Sequence, residues 1–138
     1  MRNSLKMKFS IITVVKNEIS TIGLTIKSLK NQSFKDYEHI IFDGESTDGT
    51  SEFLKKISNK KTLHFREKDK SVYDALNKSF KKAKGEYFIV LHSGDFFYSK
   101  HSLSILSKSI DKNKNYDFYF SNILFYNQEN KNISRVWK

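Results

Sequence analysis

Residues 85–98 read GEYFIVLHSGDFFY, and this stretch decides the fold. The apolar and aromatic run 87–91 is too short for a buried helix and lies between a glycine and the polar sequence His92-Ser93-Gly94-Asp95. Such a run reads as a central parallel strand. In open α/β sheets the carboxyl ends of parallel strands open onto the ligand crevice, so chemistry is expected after Leu91, with Asp95 foremost.

Working outward, Val72, Leu76 and Phe80 recur on one helical face just upstream, and Gly85 is expected to stop that helix in the left-handed conformation that glycine tolerates. Residues 9–15 form a β-branched run that reads as a first strand. A helix follows, capped by Asn17 or Ser20, with Ile19, Ile22, Ile26 and Leu29 at helical spacing. Residues 37–42 read as a second strand, and a helix beginning near 47–50 turns Phe53, Leu54 and Ile57 inward. Residues 62–65 make a short third strand. This alternation predicts parallel pairing with right-handed crossovers. Beyond the central strand, 102–110 is an amphipathic helix, 117–126 a strand of alternating aromatics, and 127–130 a hairpin turn before 133–137.

The chain of 138 residues is long enough for one domain, spanning 1–138, with a single core. No apolar run approaches membrane-spanning length, and the chain is expected to be soluble. The N-terminal MRNSLKMKFSIITVV superficially suggests a signal peptide, but its apolar part is short and β-branched and lacks a small-residue cleavage site, which favours a strand. The absence of cysteine excludes disulfides and thiolate metal sites. The formal net charge of +10 comes mostly from scattered lysines without an arginine cluster or stacking platform, so nucleic acid is not the expected partner. Peripheral membrane association is a secondary expectation. Apolar Val136 and Trp137 at the carboxyl end leave two readings open: an edge strand that ends a domain, or a longer protein that continues.

Three constellations carry chemistry. Asp43 and Asp48 lie in the polar loop 43–50, where Gly44 and Gly49 allow close backbone approach to a ligand. Asp48 reads as a helix cap or a local turn, whereas Asp43 is expected to point into the crevice, where a carboxylate accepts a base imino N–H or a ribose hydroxyl. Asp95 could hold Mg²⁺ or Mn²⁺ when a diphosphate supplies further oxygens. The loops bearing Asp43 and Asp95 are expected after neighbouring strands. Asp69, Tyr73, Asn77 and Lys78 could line one side of the same crevice, while His39, His64 and His101 read as structural or surface residues. Lys16-Asn17-Glu18 stands after the first strand where a P-loop or dinucleotide glycine fingerprint would be, so ATPase and dehydrogenase readings lose their support.

VVKNE, FDGESTDGT, EKDKSVYDALNKSFKKAKGEY and VLHSGDFFY, in this order, resemble the GT-A glycosyltransferases of family 2 over about residues 8–126. The resemblance implies a Rossmann-like GT-A nucleotide-diphospho-sugar transferase fold, α/β, with a mostly parallel sheet and helices on both faces. It implies inverting transfer from a nucleotide diphosphate sugar, UDP-sugar favoured, to a saccharide or lipid-linked acceptor, in polysaccharide or glycolipid synthesis. The same resemblance puts Asp43 on the base, Glu18 and the backbone from Thr13 to Val15 along the nucleotide, Asp69 on the base or ribose side with Asn77 near it, and Asp95 on the metal. Gly94 and His92 depart from positions that are often acidic or amide-bearing in the family, which leaves Asp95 as the one strong metal ligand, and no catalytic base is assigned. A cytoplasmic location, with contact at the inner face of the membrane, is the accompanying expectation. The alternative function is a non-catalytic nucleotide-sugar-binding or interaction module.

Overall fold

The computed structural model describes residues 7–138, so the part of the signal-peptide question that concerns residues 1–6 lies outside the described residues. The elements are β1 (Phe9–Val15), α1 (Ile22–Lys30), β2 (Tyr37–Asp43), α2 (Thr50–Ile57), β3 (Thr62–Arg66), α3 (Val72–Lys82), β4 (Tyr87–Val90), α4 (Ser102–Lys112), β5 (Ile123–Asn127) and β6 (Asn132–Trp137). β1 to β4 make a parallel sheet in the order β3-β2-β1-β4. β1 and β2 are its centre, and their residues, polar Ser10, Glu38, His39 and Asp43 included, are buried almost throughout.

Helices cover both faces. Phe9, Ile11, Leu29, Tyr37, Leu91, Leu103 and Ile110 form one apolar cluster, and Val15, Ile22, Ile26, Ile41 and Leu54 a second, so α1, α2 and α4 share a face. α3 packs on β1 and β2 from the other side through the small residues Ala75 and Ser79. Each fully buried Ile, Leu or Phe of these layers contributes about 1.5–3 kcal/mol relative to exposure.

Several expectations need correction. β4 is an edge strand rather than a central one among the described strands, because β1 has β2 on its other side and β4 pairs with β1 alone. Phe88 and Val90 are accordingly left partly exposed. For the same reason Asp43 and the turn holding Asp95 follow strands separated by β1. On α3 the inward residues are Ala75 and Ser79, with Leu76 and Phe80 half-buried, while Val72 lies 54% exposed at the first turn. Gly85 is not in the left-handed region. α3 has already ended at Lys82, and a Cβ on Gly85 would collide with the backbone of Phe9 and Ser10. Close approach to β1, not turn geometry, is what requires glycine there.

The first helix begins at Ile22 after Thr21, not at a cap from Asn17 or Ser20. Ile19 precedes it and is exposed. Asn17 instead takes a left-handed conformation, φ 58°, and its amide oxygen accepts from the Thr47 N–H at 2.8 Å. The aromatic strand starts only at Ile123, because Tyr119 anchors the preceding segment by packing on Tyr87 while Phe120 stays 95% exposed. β5 and β6 form a separate antiparallel ribbon around the expected turn.

Candidate functional site

The carboxyl edge of the sheet is organised by the loop after β2. Val15, Asp43 and Arg66 stand level at the ends of β1, β2 and β3. Asp43 does not point into an open crevice, as expected from the sequence, but is fully buried at 0% exposure. One of its oxygens accepts from the Ser46 N–H at 2.8 Å, and the other accepts from the Ser51 hydroxyl and the His64 ring. Arg66 Nε in turn donates to Ser51 Oγ at 3.1 Å. Burial alone would raise the Asp43 pKa, but the bonds from Ser46, Ser51 and His64 outweigh it and hold the carboxyl below its ordinary range. The sequence spacing places Asp43 at a strand end, but Ser46 and Ser51, three and eight residues on, draw it inward.

The same loop ties itself to the loop after β1. Asn17 N–H donates to Ser46 Oγ at 2.8 Å, Glu18 N–H to Thr50 Oγ1 at 3.0 Å, and Ile19 N–H to Asp48 Oδ2 at 3.1 Å. Asp48 also accepts from the Thr50 N–H at 3.0 Å, which is the local turn expected of it. Gly44 has a different use. A Cβ there would collide with the Asp69 carboxylate and come within 3.5 Å of the Lys16 side chain, so the absent side chain leaves room for the Asp69 carboxylate against the loop.

Asp69 is half-buried in the loop before α3. Ser71 caps that helix by accepting from the Asp74 N–H at 3.2 Å, and Asp74 accepts from the Lys70 N–H at 3.0 Å. The S-x-x-D spacing carries this near-capping box and could have located the helix start in the sequence. Tyr73, at 78% exposure, and Asn77 lie on the open side of α3. Lys78 turns back to Asp74 at 3.2 Å and to the Lys68 carbonyl at 2.6 Å.

The turn after β4 is fastened to the start of α1. Thr21 Oγ1 donates to Glu18 Oε2 at 2.6 Å and meets Ser93 Oγ at 3.0 Å. Thr25 Oγ1 accepts from the Gly94 N–H at 2.9 Å and donates to the Asp95 carbonyl at 2.8 Å. Glu18 is thereby joined to the Asp95 turn through Thr21, whereas no hydrogen bond among the described residues joins Asp69 or Asn77 to that turn. The Asp95 carboxylate itself is exposed and makes no hydrogen bond or ion pair among the described residues. No group of three or more His, Cys, Asp or Glu that could hold a metal occurs among the described residues. One free carboxylate suits a hard divalent cation whose other oxygens come from a diphosphate and water, and it does not suit a cation held by protein alone.

Beneath the crevice, Thr13 is fully buried, and its hydroxyl donates to the Leu91 carbonyl at 2.8 Å. That proton is its only one, so His39 must present Nε2–H to the same oxygen, 2.9 Å away. Burial and, secondarily, the Lys30 charge lower the His39 pKa to about 3, and the ring is neutral. The Thr13 side chain therefore ties β1 to β2 and to the start of the Asp95 turn, and the Val15 carbonyl accepts from the Gly44 N–H at 2.9 Å. Sequence reading missed Thr21, Thr25, Ser46 and Ser51. The available signal was Thr25, a polar residue set within the buried stripe Ile22, Ile26 and Leu29.

A family model described as glycosyl transferase family 2 matches residues 10–138. An uncharacterised glycosyltransferase of Rickettsia conorii is 33% identical over 132 residues, covering 94% of this chain and 21% of the relative. A PGL/p-HBAD biosynthesis glycosyltransferase of Mycobacterium bovis is 27% identical over 120 residues, covering 84% of this chain and 46% of the relative. The chain thus spans less than half the length of these curated relatives. Among solved structures, residues 1–349 of S. aureus TarS in complex with UDP superpose with a TM-score of 0.71 at 29% identity, over 77% of this chain and 32% of that one. The same protein is also known in complex with UDP-GlcNAc. A mannosyltransferase of Pyrobaculum calidifontis, in complex with GDP-Man and Mn²⁺, shares the fold at 19% identity with a TM-score of 0.66, over 75% of this chain and 32% of that one. With its four-stranded parallel sheet, its carboxyl-edge loops and a match that runs from residue 10 to residue 138, the chain belongs to glycosyl transferase family 2 and has the GT-A fold.

Proposed function

We propose that this chain forms the donor-binding part of a glycosyltransferase that transfers a sugar with inversion from a nucleotide diphosphate, UDP-sugar favoured, to a hydroxyl of a saccharide or lipid-linked acceptor. The observation that carries the reading is the Asp95 carboxylate, free and exposed at the carboxyl edge of a parallel sheet in a chain of this family. The likeness to TarS, which is known with UDP and UDP-GlcNAc, supports uracil as the base.

In this reading Asp95 holds Mg²⁺ or Mn²⁺, which when bound neutralises charge on the departing diphosphate. Glu18 and the backbone at the end of β1 border the nucleotide, and Asp69, with Asn77 beyond it, faces the base and ribose. Asp43 acts one layer deeper, holding the 46–51 loop in the shape that the nucleotide meets. The acceptor hydroxyl attacks the anomeric carbon as the nucleotide diphosphate leaves, and its proton passes to a base that none of these residues supplies. Polysaccharide or glycolipid synthesis at the cytoplasmic face of a membrane is the setting this chemistry suits. No helix among the described residues is long and apolar enough to cross a membrane.

Calorimetric titration of the chain with UDP, GDP and dTDP, each with and without Mn²⁺, tests the proposal. The expected result is binding of UDP that strengthens with Mn²⁺. Equal, metal-independent binding of all three, or of none by a folded sample, would contradict it.

A further inference from the structure

A threonine inside a helix commonly turns its hydroxyl back to a carbonyl of its own preceding turn. Thr25, inside α1, does not use that arrangement, and Thr21, at the N-cap, reaches the Glu18 carbonyl only at 3.4 Å. Thr25 is fully buried in the inward stripe of α1, where valine would fill the same space, yet its hydroxyl is directed at the turn after β4. It accepts from the Gly94 N–H at 2.9 Å and gives its single proton to the Asp95 carbonyl at 2.8 Å, the His92 carbonyl being farther at 3.3 Å. Thr21, one turn earlier, gives its proton to Glu18 Oε2 at 2.6 Å, so the Ser93 hydroxyl must donate to Thr21 across 3.0 Å. Gly94 adopts φ +87°, and a Cβ there would touch Thr21 Cβ at 3.6 Å. The Asp95 N–H closes the turn on the His92 carbonyl at 3.0 Å. The backbone on both sides of the Asp95 side chain is therefore fixed, and only its carboxylate is left free.

From this geometry we infer that Thr21 and Thr25 are positioning residues: together they clamp the 92–95 turn so that the Asp95 carboxylate is already aimed at a divalent cation, and Thr21, through Glu18, joins the nucleotide loop to the metal turn. The inference rests on Asp95 being the metal ligand of the proposed function. The order of a metal-bearing turn is set here by a helix outside it, which is how outer contacts raise the affinity of a ligand they do not touch.

Nuclear magnetic resonance on the whole chain separates the parts. In the wild type, with UDP saturating, Mn²⁺ should broaden the resonances of residues 92–96. In Thr25→Val the Mn²⁺ midpoint is expected to rise about tenfold, and exchange of the Gly94 amide to quicken by about tenfold or more. Thr25→Ser, which keeps the hydroxyl, should restore both, and Thr21→Val should raise the midpoint about threefold. A Thr25→Val protein that loses Gly94 protection but keeps the wild-type midpoint overturns the inference. If Thr25→Val does not fold, an unchanged midpoint in Thr21→Val overturns it instead. Absence of broadening at 92–96 in the wild type would show that the metal reading itself fails, and the inference with it.

Discussion

Asp43, the last residue of β2, and Asp95, in the turn after β4, both stand at the carboxyl edge of the sheet, and the protein treats them in opposite ways. Asp43 is sealed in, with its two oxygens taken up by Ser46, Ser51 and His64. Asp95 has its backbone fastened by Thr25 and its carboxylate left to solvent. A buried carboxylate must find donors inside the fold, so it organises the loop around it. An exposed carboxylate on an ordered backbone has free acceptor capacity, and that is what a ligand needs. Proximity to the crevice is common to both, and the partners of each oxygen separate the builder from the binder.

The largest effect expected concerns another sealed polar group, His39. Its folded pKa, about 3, lies below the ordinary 6.5, so as pH falls below 6.5 the unfolded chain takes up a proton that the folded chain refuses. Stability present above pH 6.5 is lost progressively down to about pH 3. Between pH 7 and pH 4 the loss should reach about 3 kcal/mol, read from urea unfolding midpoints. Asp43 contributes in a separate window, because its depressed pKa gives stability that is present above its ordinary 3.8 and lost as pH falls further. His39→Gln should flatten the slope between pH 7 and 4, and an unchanged slope would show that the ring is not held neutral.

Next comes the direct contrast of the two aspartates. Asp43→Ala leaves the Ser46 N–H without its acceptor and the Ser51 hydroxyl with only the Ser46 carbonyl at 3.3 Å, at a cost of about 3 kcal/mol in urea unfolding. Asp95→Ala should change stability by no more than about 0.5 kcal/mol. Equal costs would erase the distinction.

A smaller effect sharpens it. Gly44→Ala drives a methyl group into the Asp69 carboxylate, the far end of a side chain that can swing away, so stability should fall by at most about 1 kcal/mol. Displacing Asp69 should weaken UDP binding about fivefold, roughly 1 kcal/mol. A loss of stability without a loss of affinity would place Asp69 outside the nucleotide site.

The sequence made some of this architecture legible and hid the rest for identifiable reasons. Phe9–Val15 and Tyr37–Asp43 could be read almost residue by residue, since short runs rich in β-branched and aromatic residues have few alternatives to a buried strand. Ile19 fitted the helical spacing of Ile22 and Ile26 but lies before the helix, because Asn17 leaves β1 through a left-handed residue that no periodicity reports. Gly85 was visible as an interruption, but its cause is an approach to Ser10, 75 residues away in sequence, seen also in the Gly85 N–H bond to Ser10 Oγ at 2.8 Å. Asp95 stood out because it follows an apolar run. The burial of Asp43 depends on where Ser51 and His64 arrive in three dimensions, and spacing along the chain does not encode that.

The measurement that bears most directly on the account is a calorimetric titration of UDP at saturating Mn²⁺ into the wild-type chain and into Asp95→Asn, which keeps the size of the side chain and removes its charge. Asp95→Asn is expected to be as stable as the wild type and to bind UDP at least about tenfold more weakly, a loss of roughly 1.4 kcal/mol. Undiminished Mn²⁺-dependent binding of UDP by Asp95→Asn would contradict it, and would mean that the free carboxylate after β4 is not the one the ligand uses.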